Sequence, residues 1–560
     1  MDHMQIDYET LAEWLFPEVT ETPEDMEKRY PVRGLPEGAV VSRLAPSPTG
    51  FVHLGNVVQG LTSERLAHQS GGVLFLRIED TDAKREVKGA SEILIEMLSH
   101  YGIVFDEGAS LDENGAICDK GDYGPYKQSN RAPIYHVYAK KLVREGKAYP
   151  CFCTEEDLDR FHAEQEAEKA NFGYYGKWAK WRDRSLEEIR EQLDSGTPWV
   201  LRFRSTGSIE HKFKYNDLIK GEVDITENDI DHVLLKSDGI PTYHFAHAVD
   251  DHLMRTTHVV RGDEWLSSLP FHIQLFQALG FRLPKYVHIG TLMKMDGTSK
   301  RKLSKRKDPE LALSYYKSVG YPTDSVVEYL MTILNSNFED WRRANPLAPL
   351  DDFKFSAKKM NAAGSLFDLA KLSDVSKNLI SRMSAEDVYN AVSEWAKEFD
   401  GEFYDDFTRD PAFTKAVLAI GRGGNKPRKD FATWSEVKGY MGFMFDRYYE
   451  ANGVYPDGFD AGTIADILTD FLSTYSSDDD QTVWFDKMKD IAEKHGFARE
   501  TKEYKASPEA YRGHIGDISA FVRVAVTGKQ NSPDLYAVMT ILGHEASSSR
   551  IQKQIERLRG

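Results

Sequence analysis

The chain has 560 residues, 41% hydrophobic and 29% charged, a balance that excludes disordered and fibrous classes and supplies several buried cores. It has no apolar run of about 18 residues, so no membrane span is expected, and three cysteines point to a reducing, cytoplasmic setting rather than a disulfide framework. The net charge of −18 confines any nucleic-acid contact to local basic segments.

Residues 1–38 read as an amphipathic appendage ending in the turn PVRGLPEGA. VVSRLAPSPTG follows as a short apolar strand breaking into a Pro-, Ser- and Gly-rich turn. Residues 56–70 predict a helix closed by Gly71 and Gly72, VLFLRIED a second strand ending in charge, and ASEILIEMLSHYGI a second helix. Alternation of this kind implies a parallel sheet. A further helix is expected over 130–147. The stretch from about 150 to 235 lacks the alternation and reads as an insertion, opened by CFCTEEDLDRF and a charged helix. DHVLLKSDGIPTYHFAHAVDDHL returns to strand and turn, and THVVRGDEW is again a strand ending in charge. From about 310 the composition is helical.

Three features carry chemistry. In SRLAPSPTGFVHLGN a strand feeds a turn and then a helix near Asn56, which exposes N–H groups and the positive helix end to an anion. Gly50 and Gly55 permit close approach there, and His53 is placed to hydrogen-bond a phosphate oxygen. Residues 300–307, KRKLSKRK, form a basic run that suits charge developing on a transferring phosphate, although most such runs are plain solvated surface. Arg43 and Arg261 end strands, and an arginine fork pairs a carboxylate bidentately. Glu79 ends the second strand on the same side, where it suits an ammonium, and Tyr243 offers a wall and a hydroxyl. Each of these residues also fits a surface ion pair or a packing contact.

The string RLAPSPTGFVHLGN resembles the HIGH signature of class I aminoacyl-tRNA synthetases in its glutamyl form, and Lys302-Leu303-Ser304-Lys305-Arg306 resembles their KMSKS loop. RIEDTD, SDGIPTYHFA, VDDHL and VVRGDEWL match the glutamyl group in order. The resemblance is strong over 39–340 and weaker over 341–560, where GSLFDLAKL and SPDLYAVMTILGHEASSSRIQKQIERL carry it. It implies an α/β fold: a class I Rossmann-like parallel-sheet catalytic domain (39–147 and 236–300) split by an inserted acceptor-stem-binding domain (148–235). An N-terminal extension (1–38), a KMSKS loop with stem-contact connector (301–385) and an α-helical anticodon-binding domain (386–560) complete the expected organisation.

The implied reaction is ATP-dependent activation of L-glutamate to glutamyl-adenylate, then transfer to the 3′-terminal adenosine of tRNA(Glu). The resemblance assigns catalysis to His53, Asn56, Lys302, Ser304 and Lys305, and glutamate to Arg43, Ala45, Ser47, Glu79, Tyr243, His247 and Arg261. It assigns ATP to Pro46, Gly50, His53, Gly55, Asn56, Glu264, Trp265 and Lys305. Two departures stand out: Asn56 replaces the second His of the signature, a variation common in the glutamyl group, and His247 stands where many relatives have Asn.

Some bacterial relatives hold zinc in the insert. Here Cys151 and Cys153 are followed by Trp178 and Lys180 where the other ligands would fall, so no protein-held metal is expected, and Mg²⁺ is expected to arrive on ATP. His244, His247, His252 and His258 fit no usual ligand set. In the insert, Tyr174, Tyr175, Lys177, Trp178, Lys180, Trp181 and Arg182 interleave rings and cations as unstacked RNA ends require. GRGGNKPRKDFATW offers a basic patch for anticodon phosphates. A monomer without membrane contact is expected. The alternatives are a non-discriminating enzyme that also charges tRNA(Gln), a glutamine-charging ligase or shortened paralogue, and a catalytically inactive tRNA-binding paralogue.

Overall fold

The computed structural model describes residues 7–82 and 87–560; the first six residues of the appendage lie outside this range. The chain divides into two compact units, Met1–Leu313 with Leu330–Phe367, and Ser314–Tyr329 with Asp368–Gly560.

In the first unit the short strands Val41–Leu44, Val73–Leu76 and His258–Gly262 are buried along nearly their whole length, as parallel pairing between covering helices requires. Val41–Leu44 pairs in parallel with Val73–Leu76, which pairs in parallel with Glu107–Leu111, and Ile117–Lys120 adds an antiparallel edge. His258–Gly262 pairs in parallel with Lys285–Ile289, placing Arg261 opposite His288. The Thr257 N–H donates to the Val41 carbonyl at 2.9 Å, so this second pair runs beside the first. The carboxyl ends of Val41–Leu44, Val73–Leu76, His258–Gly262 and Lys285–Ile289 therefore deliver their loops to one edge, where ligands of such sheets bind.

The helix after the first turn spans Leu54–His68. At its last turn His68 Nδ1 lies 2.7 Å from Glu64 Oε1 and Nε2 2.9 Å from Asp106 Oδ2, and hydrogen bonding to Glu64 in particular pushes the imidazole up to about 9. A raised folded-state value means the stabilisation is full below the unfolded value near 6.5 and is lost as pH rises through about 9. The thermal midpoint of His68→Asn is expected to fall below that of the wild type at pH 6 and to converge with it at pH 10; a gap independent of pH would remove this linkage.

The segment read as strand and turn before THVVRGDEW is in fact helical over Tyr243–Leu253. Thr242 sits extended at its N-cap, and Phe245, Ala246, Ala248 and Val249 turn inward together, a helical spacing within the window read as extended. The first three residues of the basic run belong to a strand: Ser299–Lys302 pairs antiparallel with Leu292–Asp296, leaving the following residues as a turn.

The N-terminal extension folds as two helices, Tyr8–Leu15 and Pro23–Arg29. Lys140 and Arg144 donate to Glu13, and Glu27 accepts from Arg255 and lies 2.6 Å from His252 Nε2. Arg33 pairs bidentately with Glu107 at 2.6 and 2.9 Å and donates to the Met254 carbonyl.

The insertion carries antiparallel strands and helices of its own. Tyr174, Trp178 and Trp181 are buried there, so their rings pack inward instead of forming an open platform for bases, which corrects the sequence expectation for these three. Cys151 and Cys153 both meet the Tyr174 hydroxyl, at 3.4 and 3.5 Å, while Trp178 Nε1 donates to Glu164 and Lys180 to Asp157.

The second unit is helical. Six of its helices start on side-chain caps that satisfy otherwise unpaired N–H groups: Ser384, Asp400, Asp410, Asp460, Asp480 and Asp534 accept from Asp387, Phe403, Phe413, Thr463, Val483 and Ala537. Val388, Val392, Phe403, Phe407, Met441, Leu468, Phe471, Phe521 and Val538 form its core. In the basic patch, Arg428 is paired with Asp430 and Arg422 donates to the Leu418 and Ile380 carbonyls, which leaves Lys426 and Lys429 as its exposed lysines.

Candidate active site

His53 opens the helix Leu54–His68, and its own N–H donates to Asn56 Oδ1 at 3.0 Å. Asn56 thus fixes the turn that presents the imidazole. Gly50 has φ +76°, the left-handed region where a side chain is strained, and a Cβ on Gly55 would lie 2.8 Å from the His53 ring. His53 bridges Ala312, just beyond the lysine turn, and Leu313 N–H donates to the Val52 carbonyl at 3.3 Å. These backbone contacts bring together two motifs about 250 positions apart.

A cavity of about 210 Å³ is lined by His53, Gly55, Glu264, Gly290 and Lys302, among others. A second, of about 190 Å³, is lined by Pro46, Ser47, Gly50, His53 and Asn56. His53 faces both. Burial chiefly, with help from Lys302 and Lys305 and against Glu264, holds the imidazole below its usual value. It is therefore neutral at pH 7, and its Nδ1 is buried without a hydrogen-bond partner among the described residues. Lys305 Nζ stands 4.2 Å from the centre of the Phe51 ring, beside His53.

The lysine turn is anchored by a residue that sequence reasoning passed over. Asp308 is buried and accepts two bonds from Arg301, at 2.6 and 2.8 Å, and one from the Ser304 N–H at 2.8 Å. Arg301 chiefly holds its carboxyl far below the usual range. Lys294 is taken up by Glu310. Lys302 and Lys305 are exposed.

Two of the residues expected to meet glutamate, Arg43 and Glu79, lie in a buried ionic group. Arg43 Nε reaches both oxygens of Asp251 at 3.2 Å and its Nη1 donates to the Val260 carbonyl. Arg77, fully buried, donates to Asp251 at 2.8 Å and to Glu79 at 3.0 Å, and lies 3.8 Å from Asp250. Burial raises the Glu79 carboxyl despite Arg77 and Arg43. Gln128 and Arg131 donate to Asp250 at 2.9 and 2.7 Å. Tyr243 packs on Trp265 at 4.3 Å and lies parallel to His247 at 5.8 Å. His247 Nε2 is 2.9 Å from the Tyr286 hydroxyl and Nδ1 2.8 Å from Asp251, with burial pushing the ring down to about 4. Arg261 is buried among His272, His288 and Tyr286. Ala45 and Ser47 follow the first strand on the stretch whose Pro46 carbonyl accepts from the Glu79 N–H at 3.0 Å.

Sequence reasoning missed Arg77, Asp250, Asp251, His272 and His288. The VDDHL string was visible, but nothing in it tells which carboxylates turn inward; only burial and the facing arginines do.

A parallel sheet with its loops gathered on one edge, the turn around His53 and a basic hairpin fit the catalytic domain of a class I aminoacyl-tRNA synthetase. Residues 39–340 match the sequence model of tRNA synthetases class I (E and Q), catalytic domain, and residues 428–555 match that of an anticodon binding domain. The chain is 50% identical over 549 residues to a glutamate–tRNA ligase of Acetivibrio thermocellus, covering 98% of this chain and 100% of that one. It is also 50% identical over 550 residues to a glutamate–tRNA ligase of Clostridium perfringens, covering 98% and 99%. A crystal structure of a glutamate tRNA ligase from Elizabethkingia meningosepticum, in complex with its amino acid, matches with TM-score 0.71 at 26% identity, covering 93% of this chain and 99% of that one. The chain belongs to the glutamate–tRNA ligases, which join glutamate to tRNA with ATP.

Among the described residues no helix is long and apolar enough to cross a membrane.

Proposed function

We propose that the His53 turn and the Lys305 hairpin bind the triphosphate of ATP, and that Arg43, Ala45, Ser47, Glu79, Tyr243, His247 and Arg261 bind L-glutamate. One observation carries this reading: His53, Glu264 and Lys302 line a single cavity, in which Glu264 and Lys302 both act on the His53 imidazole. Pro46, Gly50, Gly55 and Asn56 shape the nucleotide side, with Glu264 and Trp265 toward the adenosine. Magnesium rides on the ATP phosphates as part of that substrate.

In the first step a glutamate α-carboxylate oxygen attacks the α-phosphorus of ATP, forming glutamyl-adenylate and releasing pyrophosphate. In the second a ribose hydroxyl of the terminal adenosine attacks the activated carbonyl and AMP leaves. Neither step requires a protein nucleophile, so the residues act by positioning and by stabilising charge. A neutral imidazole at position 53 donates a hydrogen bond to a phosphate oxygen, while Lys302, Ser304 and Lys305 follow the charge that develops on the departing pyrophosphate. A glutamine side chain would leave a buried arginine without its anion, a loss of roughly 2–5 kcal/mol.

The insert at 148–235 holds the acceptor stem, 301–385 connects, and 386–560 reads the anticodon of tRNA(Glu). The enzyme acts as a cytoplasmic monomer. His53→Ala is expected to lower ATP–pyrophosphate exchange, measured with tRNA present, by about 100-fold. Exchange at the wild-type rate would place the nucleotide elsewhere. Charging purified tRNA(Glu) and tRNA(Gln) side by side tests the specificity; equal charging of both would replace tRNA(Glu) alone with the non-discriminating alternative.

A further inference from the structure

Arg261 is a buried cation, and buried cations are ordinarily paired with an anion. Among the described residues no carboxylate lies within ion-pair distance of it. Its hydrogens go to uncharged acceptors: Nε donates to His288 Nε2 at 2.9 Å, Nη1 to His272 Nδ1 at 3.0 Å and Nη2 to the Trp265 carbonyl at 3.4 Å. The guanidinium also lies 4.5 Å over the Tyr286 ring. Its neighbours Arg43 and Arg77 differ in sharing Asp251.

An arginine donates and never accepts, so these bonds assign the tautomers. His288 carries its proton on Nδ1, which donates to Asp217 Oδ2 at 2.7 Å. Asp217 is itself fixed by the Ile219 and Lys220 N–H groups at 2.9 and 2.8 Å. His272 carries its proton on Nε2, which donates to His244 Nδ1 at 2.8 Å. Burial lowers all three imidazoles, His244 to about 4, so the rings stay neutral around pH 7.

We infer that His272 and His288 are positioning residues: they hold Arg261 through uncharged acceptors and so keep its charge free for a carboxylate of glutamate, with Asp217 locking the His288 tautomer. The inference rests on the reading that Arg261 faces glutamate. A carboxylate in either histidine's place would satisfy the same hydrogen bond and cancel the charge the substrate needs.

Asparagine and aspartate at 272 test this. Both place an oxygen near the position of Nδ1, both lose the bond to His244, and they differ in charge but not in size. In tRNA charging by the full chain, the glutamate KM of His272→Asp is expected to exceed that of His272→Asn by about 30-fold, the size of a lost buried charge pair, with the ATP KM alike in both. A ratio under about tenfold would overturn the inference. If His272→Asp fails to fold, Asp217→Asn, which frees His288 to take the wrong tautomer, must raise the glutamate KM by about fivefold or more without changing that of ATP, or the inference is likewise overturned. Arg261→Ala run alongside separates the two readings. An unchanged glutamate KM there removes Arg261 from the glutamate site. A raised one, with the Asn and Asp variants alike, removes only the role of the neutral acceptors.

Discussion

Lys305→Ala is expected to lower tRNA-dependent ATP–pyrophosphate exchange by about 10²–10³-fold while leaving the protein folded. Both halves of that outcome follow from how the lysine turn is built. The groups that hold the turn are Arg301, Asp308 and the Ser304 N–H, whose bonds do not involve the Lys305 ammonium. That ammonium is exposed and lies against the Phe51 ring, the neighbour of His53. A surface cation of this kind contributes little to stability, so its removal should shift the melting temperature by a degree or two at most, within the roughly 0.5 kcal/mol typical of surface changes. The rate loss comes from the transition state, where charge moves onto the departing pyrophosphate and a positioned ammonium has its largest effect. The exchange assay and a melting curve on the same sample check both halves. Wild-type exchange would mean that the turn does not serve the nucleotide.

Arg77→Met is expected to destabilise the first unit by about 3–5 kcal/mol, the loss seen when one partner of a buried ion pair is removed. Arg77 is the group that joins the carboxylates of Asp251 and Glu79, with Asp250 close by. Methionine fills much of the volume and supplies no charge, so the three acids would face one another in a buried site. Arg43 and Arg131 still compensate Asp251 and Asp250, but Glu79 loses its ion pair with Arg77. Its carboxyl, already raised by burial, should then take up a proton and lose the charge proposed to meet the glutamate ammonium. The urea midpoint of the first unfolding transition measures the first effect, and the glutamate KM at a temperature where the variant is folded measures the second. A midpoint within experimental error of the wild type would show that the three acids are satisfied without Arg77.

The parts of the fold governed by short-range pattern were legible. Short strand-like segments such as VLFL and HVVRG alternate with helical stretches, and a parallel sheet follows from that alternation. The helix Tyr243–Leu253 was missed because YHFAHAVDDHL interleaves imidazoles and acids with its apolar residues, and these are polar only until their partners are seen. His247 and Asp251, one turn apart, answer each other and the arginines on the facing strands. The site divided along the same line. Residues that contribute through the backbone, such as Gly50 and the turn around His53, announce themselves by type and spacing. Residues that contribute through a long-range partner do not: Arg77 next to Glu79 reads as an ordinary charged pair, and nothing local marks Asp308 as the peg of the lysine turn. The aromatic residues of the insert failed in the opposite sense, because a ring beside a lysine suits an RNA base and a protein core equally until burial is known.

The helix that presents Tyr243 and His247 ends in an unusual way. Arg255, just past its last turn, has φ +63°, a left-handed geometry that costs an ordinary residue about 1–2 kcal/mol and that glycine normally takes. Arginine tolerates it here because its guanidinium reaches back to Glu27 and the Tyr30 carbonyl, both on the amino-terminal appendage. The appendage therefore acts as a splint, set at the far end of the rod from Tyr243. Trimming the gene to its recognisable catalytic core would remove that splint while sparing every signature motif, and the resulting fragment would be judged intact by sequence yet carry the Tyr243–Leu253 rod in a slackened frame.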